Sequence, residues 1–108
     1  MVQKIDRETL KQKMDRGDDF HLVEVLQPGP YNKAHIKGAI NIPFTKMGER
    51  ARETFEKDDE IVVYCADTEC QASPRAAEKL DAMGYVHVYD YEAGKADWMD
   101  AGYPVESA

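Results

Sequence analysis

Cys65 closes the apolar run Ile61-Val62-Val63-Tyr64, and a polar loop, Ala66 to Ala72, separates it from Ser73-Pro74, where a helical stretch opens. A cysteine at a strand end has its backbone held by the sheet. The loop lets successive N–H groups turn toward the sulfur, and the helix beyond aims its positive end at the same point. Such surroundings favour the thiolate and lower the thiol pKa from its free value of about 8.5. The same placement also suits a buried, inert thiol, since cysteine packs as a small apolar residue. Both readings stand on this feature alone.

Cys70 shares the loop, at the spacing Cys65-x4-Cys70. If the loop curls into a cradle, the two residues reach the Cα separation of roughly 4.4–6.8 Å that a disulfide needs. Cys70 is then a redox partner of Cys65; as a packing residue it is an apolar plug. Around the pair, Asp67, Thr68, Glu69 and Gln71 supply polar side chains, and Ala66 and Ala72 supply small ones. Ser73 is expected to cap the helix, an interaction of about 1 kcal/mol, with Pro74 at the first helical position. Arg75 falls in the first helical turn, where a cation opposes the macrodipole, which points either to an anion nearby or to a solvated surface residue. Glu24, at the end of an earlier strand, is a candidate for holding loop N–H groups. His21, His35 and His87 show no paired ligand spacing, so no zinc site is expected. His35 is expected to bond to the backbone, and Trp98 to sit in the core.

Alternating elements must position these residues. Val2–Ile5 reads as a strand, and Asp6 caps a helix from Arg7 to about Asp15 that carries Leu10 and Met14 on one face and stops at Gly17. Phe20–Val25 is a strand broken by Gln27-Pro28-Gly29-Pro30. Tyr31–Ala34 makes one helical turn, and Ala39–Ile42 is a short strand. A charged helix from Lys46 to Lys57 leads to the strand Glu60–Tyr64. The helix Ser73–Met83 ends at Gly84, the strand is Val86–Tyr89, and a closing helix runs from Glu92 to Ala101. Strands alternating with helices imply an α/β domain with a parallel sheet. In such sheets ligands bind at the carboxyl ends of strands, where Cys65 lies.

The 108 residues read as one domain, with 43% hydrophobic and 32% charged residues. A net charge of −7 and a pI near 4.9 argue against nucleic acid or an anionic membrane surface as partner. There is no run near the roughly 18 apolar residues of a membrane helix and no signal-like segment near Met1, so a cytoplasmic location is expected. Two cysteines are too few for a disulfide scaffold and suggest chemistry or packing.

The segment Ala34-His35-Ile36-Lys37-Gly38-Ala39-Ile40-Asn41-Ile42-Pro43 resembles the corresponding stretch of rhodanese-like domains. The same holds for Ile61 to Cys65 followed by Ser73 and Ala76-Ala77, for Val88-Tyr89-Asp90-Tyr91-Glu92-Ala93-Gly94, and for Trp98 with Ala101-Gly102-Tyr103-Pro104-Val105. The resemblance runs from about Ile5 to Val105. It implies a three-layer fold with a central parallel sheet and helices on both faces, and sulfur transfer through a persulfide on Cys65, with the loop Ala66 to Ala72 as its cradle and no metal or organic cofactor. The donor would be a small sulfur compound and the acceptor a nucleophile, a thiol or a protein among them. In this setting Cys70 could resolve the persulfide, releasing sulfide.

Departures from the family pattern sharpen the expectation. The second strand of the family usually ends in Asp-x-Arg; here it reads Glu24-Val25-Leu26. The loop after Cys65 is longer by two residues, lacks Lys and Arg, and carries Asp67 and Glu69. Each close, solvent-screened carboxylate disfavours a dianionic donor by roughly 1 kcal/mol, so polysulfides or persulfides are expected in preference to thiosulfate unless both acids point outward. A phosphatase or arsenate reductase on the same fold needs an arginine closing the loop. The sixth position after Cys65 is Gln71, which cannot make that charge-assisted fork. A redox-sensing module reading the Cys65/Cys70 state is the remaining alternative.

Overall fold

The computed structural model describes residues 2–108. Five strands form a wholly parallel sheet: β1 (Val2–Lys4), β2 (His21–Glu24), β4 (Ile40–Asn41), β5 (Glu60–Tyr64) and β6 (His87–Tyr91), in the spatial order β1-β6-β5-β2-β4. The helices are α1 (Arg7–Arg16), α2 (Pro28–Lys33), α3 (Met47–Thr54, preceded by a 3-10 turn at Phe44–Lys46), α4 (Ala72–Ala82) and α5 (Gly94–Asp100). A separate antiparallel pair joins β3 (His35–Ile36) to β7 (Val105–Glu106).

β5 is the middle strand, which explains its unbroken apolar sequence: a parallel strand covered on both faces has no solvent side to mark with polar residues. Its side chains alternate between two cores. Ile61, Val63 and Cys65 join Val23, Val25, Met47, Ala76, Ala77 and Leu80 on the α3/α4 face. Val62 and Tyr64 join Leu10, Leu22, Tyr91 and Trp98 on the α1/α5 face. Each of the Val, Leu, Ile and Met side chains among them contributes about 1.5–3 kcal/mol when fully removed from water.

The helix ends follow local chemistry where it is simple. Asp6 caps α1 by accepting the Thr9 N–H at 2.8 Å, and Gly17 ends it at φ 72°. Elsewhere packing moved the boundaries. The expected helix Lys46–Lys57 is cut short because Phe55 turns extended, at φ −118°, and enters the core beside Tyr85 and His21. Pro28 and Pro30, expected only as strand breakers, open α2, since a proline in the first turn lacks an N–H that would have no partner there. β3 and β7 were not expected; two-residue strands leave no periodicity to read.

Candidate functional site

The chain leaving β2 crosses to β4 on one side, and the chain leaving β5 crosses to β6 on the other. The carboxyl ends of β2 and β5 therefore frame the crevice where open parallel sheets bind ligands. Cys65, the residue after β5, sits there with no exposed surface, and the backbone of its neighbour is held when the Val25 N–H donates to the Tyr64 carbonyl at 3.0 Å.

The loop after Cys65 is fastened at several points. The Lys95 N–H donates to the Cys65 carbonyl at 2.9 Å and the Ala96 N–H to the Ala66 carbonyl at 2.8 Å, so the first turn of α5 holds the loop's entry. This contact depends on Gly94, whose φ is +73° and whose missing Cβ would stand 2.6 Å from the Cys65 carbonyl oxygen and 2.9 Å from the Asp67 nitrogen. Within the loop, Asp67 accepts twice: its Oδ1 from the Glu69 N–H at 3.0 Å and its carbonyl from the Cys70 N–H at 3.2 Å. The expectation that the loop's N–H groups converge on sulfur therefore fails for Glu69 and Cys70, because the tight turn uses those donors itself. Asp67, Thr68, Glu69 and Gln71 are exposed, and Ala66, Cys70 and Ala72 are half-buried.

The turn brings the two cysteines together. Cys65 and Cys70 are joined as a disulfide with a Cα–Cα distance of 6.4 Å, and the Cys65 sulfur lies 3.6 Å from the Cys70 carbonyl oxygen. Cys70 also packs against the α3/α4-side core, so it is both partner and plug.

Ser73 corrects the capping expectation. α4 begins one residue earlier, at Ala72, its N-cap Gln71 makes no side-chain capping bond, and Pro74 is the third helical residue. The Ser73 hydroxyl instead donates to Asp90 Oδ1 at 2.7 Å, in a fully buried contact. Burial pushes the Asp90 carboxyl above its usual range, and the Ser73 hydrogen bond works against that rise. With its serine turned into the core, α4 begins with no side-chain cap on its first-turn N–H groups. Arg75 is exposed on α4.

Glu24 also departs from expectation: it holds no loop N–H. It is fully buried, accepts the Tyr64 hydroxyl at 2.8 Å and pairs with Lys95 Nζ at 2.9 Å. Lys95 in turn donates to the carbonyls of Ala34 at 2.6 Å and Pro30 at 3.1 Å, while the Ile36 N–H donates to the Tyr64 hydroxyl at 3.1 Å. Burial, then the Glu24 charge, drives the Tyr64 phenol far above its ordinary pKa, so it stays a donor. The network ties the segment from α2 to β3 onto the strand that delivers Cys65. His35 bonds through Nδ1 to the Tyr31 carbonyl at 2.9 Å and stacks on the Tyr31 ring.

Sequence reasoning missed Gly94, Lys95 and Tyr64 as site-building residues. Gly94 carried a usable signal, a glycine opening a helix beyond a strand; the roles of Lys95 and Tyr64 depend on partners from 28 to 71 positions away and left none.

Residues 6–101 match the family described as the rhodanese-like domain. A sulfurtransferase of Allochromatium vinosum is 30% identical over 105 residues, covering 97% of this chain and 95% of that protein. The putative sulfur carrier protein YrkF of Bacillus subtilis is 32% identical over 97 residues, 90% of this chain but 51% of its own length. The thiosulfate sulfurtransferase PspE of Escherichia coli is 41% identical over 69 residues, 63% of this chain and 64% of that protein. The chain thus spans between about half and two thirds of the length of the latter two relatives. Among solved structures, the rhodanese-like domain of the Anabaena Alr3790 protein superposes with a TM-score of 0.89 at 31% identity, covering 100% of this chain and 81% of that one. The chain belongs to the rhodanese-like domain family. The three relatives named above carry names of sulfur transfer and sulfur carriage.

Proposed function

We propose that this chain is a sulfurtransferase that carries sulfane sulfur as a persulfide on Cys65 and passes it to a thiol or cyanide-like acceptor. The observation that carries this reading is the place of Cys65: buried at the end of the central strand, at the crevice between β2 and β5, ahead of an α4 N-terminus with no side-chain cap. With the Cys65–Cys70 bond reduced, the helix N-terminus favours the Cys65 thiolate. The thiolate attacks the outer sulfur of a donor R–S–S⁻. The new Cys65–sulfur bond forms as the donor S–S bond breaks, and R–S⁻ leaves with the electron pair. An acceptor nucleophile then attacks the outer sulfur of the persulfide, takes it, and returns the Cys65 thiolate.

Donor choice follows from charge. The loop carries Asp67 and Glu69 without a cation, and Lys95 is committed to buried Glu24. A persulfide, with a single charge at its reacting sulfur, suits this better than dianionic thiosulfate. The persulfide, like the donor, is expected to be cradled by the loop from Ala66 to Ala72, with the start of α4 beside it.

The test is intact mass and peptide mapping of the reduced protein after treatment with glutathione persulfide, followed by cyanide. A gain of one sulfur atom on Cys65 that cyanide removes as thiocyanate is expected, and Cys65→Ser is expected to take up none. Undiminished transfer in Cys65→Ser overturns the reading.

A further inference from the structure

Cys70 has no task in simple sulfur transfer, yet the fold places it within bonding reach of the sulfur that carries the load. Several observations converge on it. The Cα–Cα distance of 6.4 Å lies within disulfide range, and the two sulfurs are joined. The turn that brings Cys70 back is fixed independently of that bond, by the two hydrogen bonds accepted by Asp67 and by the two that α5 donates to Cys65 and Ala66. Cys70 is anchored against the α3/α4-side core, so its side chain is already packed beside Cys65 rather than swinging in from solvent.

We propose that the protein is also a sulfane-sulfur reductase, in which Cys70 resolves the Cys65 persulfide and releases the sulfur as hydrosulfide. The inference rests on the persulfide chemistry proposed above for Cys65. The Cys70 thiolate attacks the inner sulfur, Cys65 Sγ. The Cys65–Cys70 bond forms, the Sγ–outer sulfur bond breaks, and the outer sulfur leaves with the electron pair as HS⁻, taking up one proton. Sulfane sulfur gains two electrons, and the two cysteines are left oxidised as the disulfide. A dithiol reductant, small or carried on a protein, then reduces that disulfide by thiol–disulfide exchange and returns both cysteines to the thiol state. Attack from within one loop proceeds at a high effective concentration, so it competes with transfer to a dilute external acceptor. Scarce acceptor turns the chain from sulfur donor to hydrosulfide producer, and the closed disulfide shields Cys65 from over-oxidation.

The deciding experiment is anaerobic. Reduced wild-type protein and Cys70→Ser are each loaded with one equivalent of glutathione persulfide, freed of donor by rapid gel filtration, and followed by intact mass and by hydrosulfide trapping with a bimane. In the wild type the sulfur-loaded species is expected to decay to a species lacking two hydrogens, mapped as Cys65–Cys70, with one hydrosulfide per chain. Added dithiothreitol then restores the capacity for another round. In Cys70→Ser the loaded species is expected to persist at least about tenfold longer, without matching hydrosulfide. Equal lifetimes in the two proteins, or a wild-type persulfide that lasts without forming the disulfide, overturn the inference while leaving Cys65 as carrier. Failure of Cys70→Ser to load sulfur at all, with its fold intact by circular dichroism, overturns the carrier reading itself and the inference with it.

Discussion

Gly94 and the carbonyl of Cys65 meet so closely that a β-carbon on Gly94 would lie 2.6 Å from the Cys65 oxygen. The glycine lets α5 begin directly against the loop, where the Lys95 and Ala96 N–H groups bond to Cys65 and Ala66. Its φ of +73° independently disfavours any side chain. The position of Cys65 is therefore set from two strands: β5, which delivers it, and β6, whose exit carries Gly94.

Gly94→Ala is expected to lower stability by about 1–3 kcal/mol from backbone strain, and to displace the Cys65 loop. A shift of the reacting sulfur on this scale is expected to slow transfer by about a hundredfold. Urea unfolding and turnover with a persulfide donor measure the two effects. Normal turnover in a destabilised variant would show that the contact serves folding alone.

The buried pair Glu24–Lys95 is expected to behave asymmetrically. Lys95→Met strands a fully buried carboxylate and is expected to destabilise by about 3–5 kcal/mol. Glu24→Gln with Lys95→Met removes both charges, and the double variant is expected to recover part of that loss. A double-mutant cycle by chemical denaturation reads the coupling; strictly additive effects would mean that the two residues do not act as a pair.

Asp67→Asn with Glu69→Gln is expected to raise thiosulfate use by about fivefold per charge removed, in line with roughly 1 kcal/mol per screened interaction. Asparagine keeps the Oδ1 acceptor for the Glu69 N–H, so the turn survives the change. The gain is expected to shrink as salt rises. Steady-state kinetics at low and high salt decide this, and no change at low salt would place both carboxylates too far from the donor to matter.

Asp90 links stability to pH. Its folded pKa is raised above the ordinary 3.8, chiefly by burial, so the native state binds a proton that the unfolded chain has already released. The wild type is thereby expected to lose stability as pH rises from below 3.8 through the raised folded value. Asp90→Asn can still accept the Ser73 hydrogen bond through Oδ1 but does not titrate. The stability difference between variant and wild type is expected to move in the variant's favour across that interval and to level off above it. Urea midpoints taken between about pH 3 and pH 7 check the slope, and parallel curves would remove Asp90 as the cause.

The chain itself determined the order of elements, the central strand and the place of Cys65 at that strand's carboxyl end. Ile61 to Tyr64 is apolar without alternation because β5 is covered on both faces, and Asp6 and Gly17 delimit α1 by local bonds that need no other part of the chain. The closeness of Cys65 and Cys70 was legible as a possibility, since a short loop limits how far apart they can be. Tertiary structure alone decided that Ser73 turns to Asp90 instead of capping α4, that Glu24 bonds Tyr64 and Lys95 instead of the loop, and that α5 clamps the Cys65 carbonyl. The physical reason is the same in each case. A capping residue or a buried carboxylate bonds to whichever partner the packed core leaves within reach, and that partner is fixed by strand order and register rather than by neighbours along the chain.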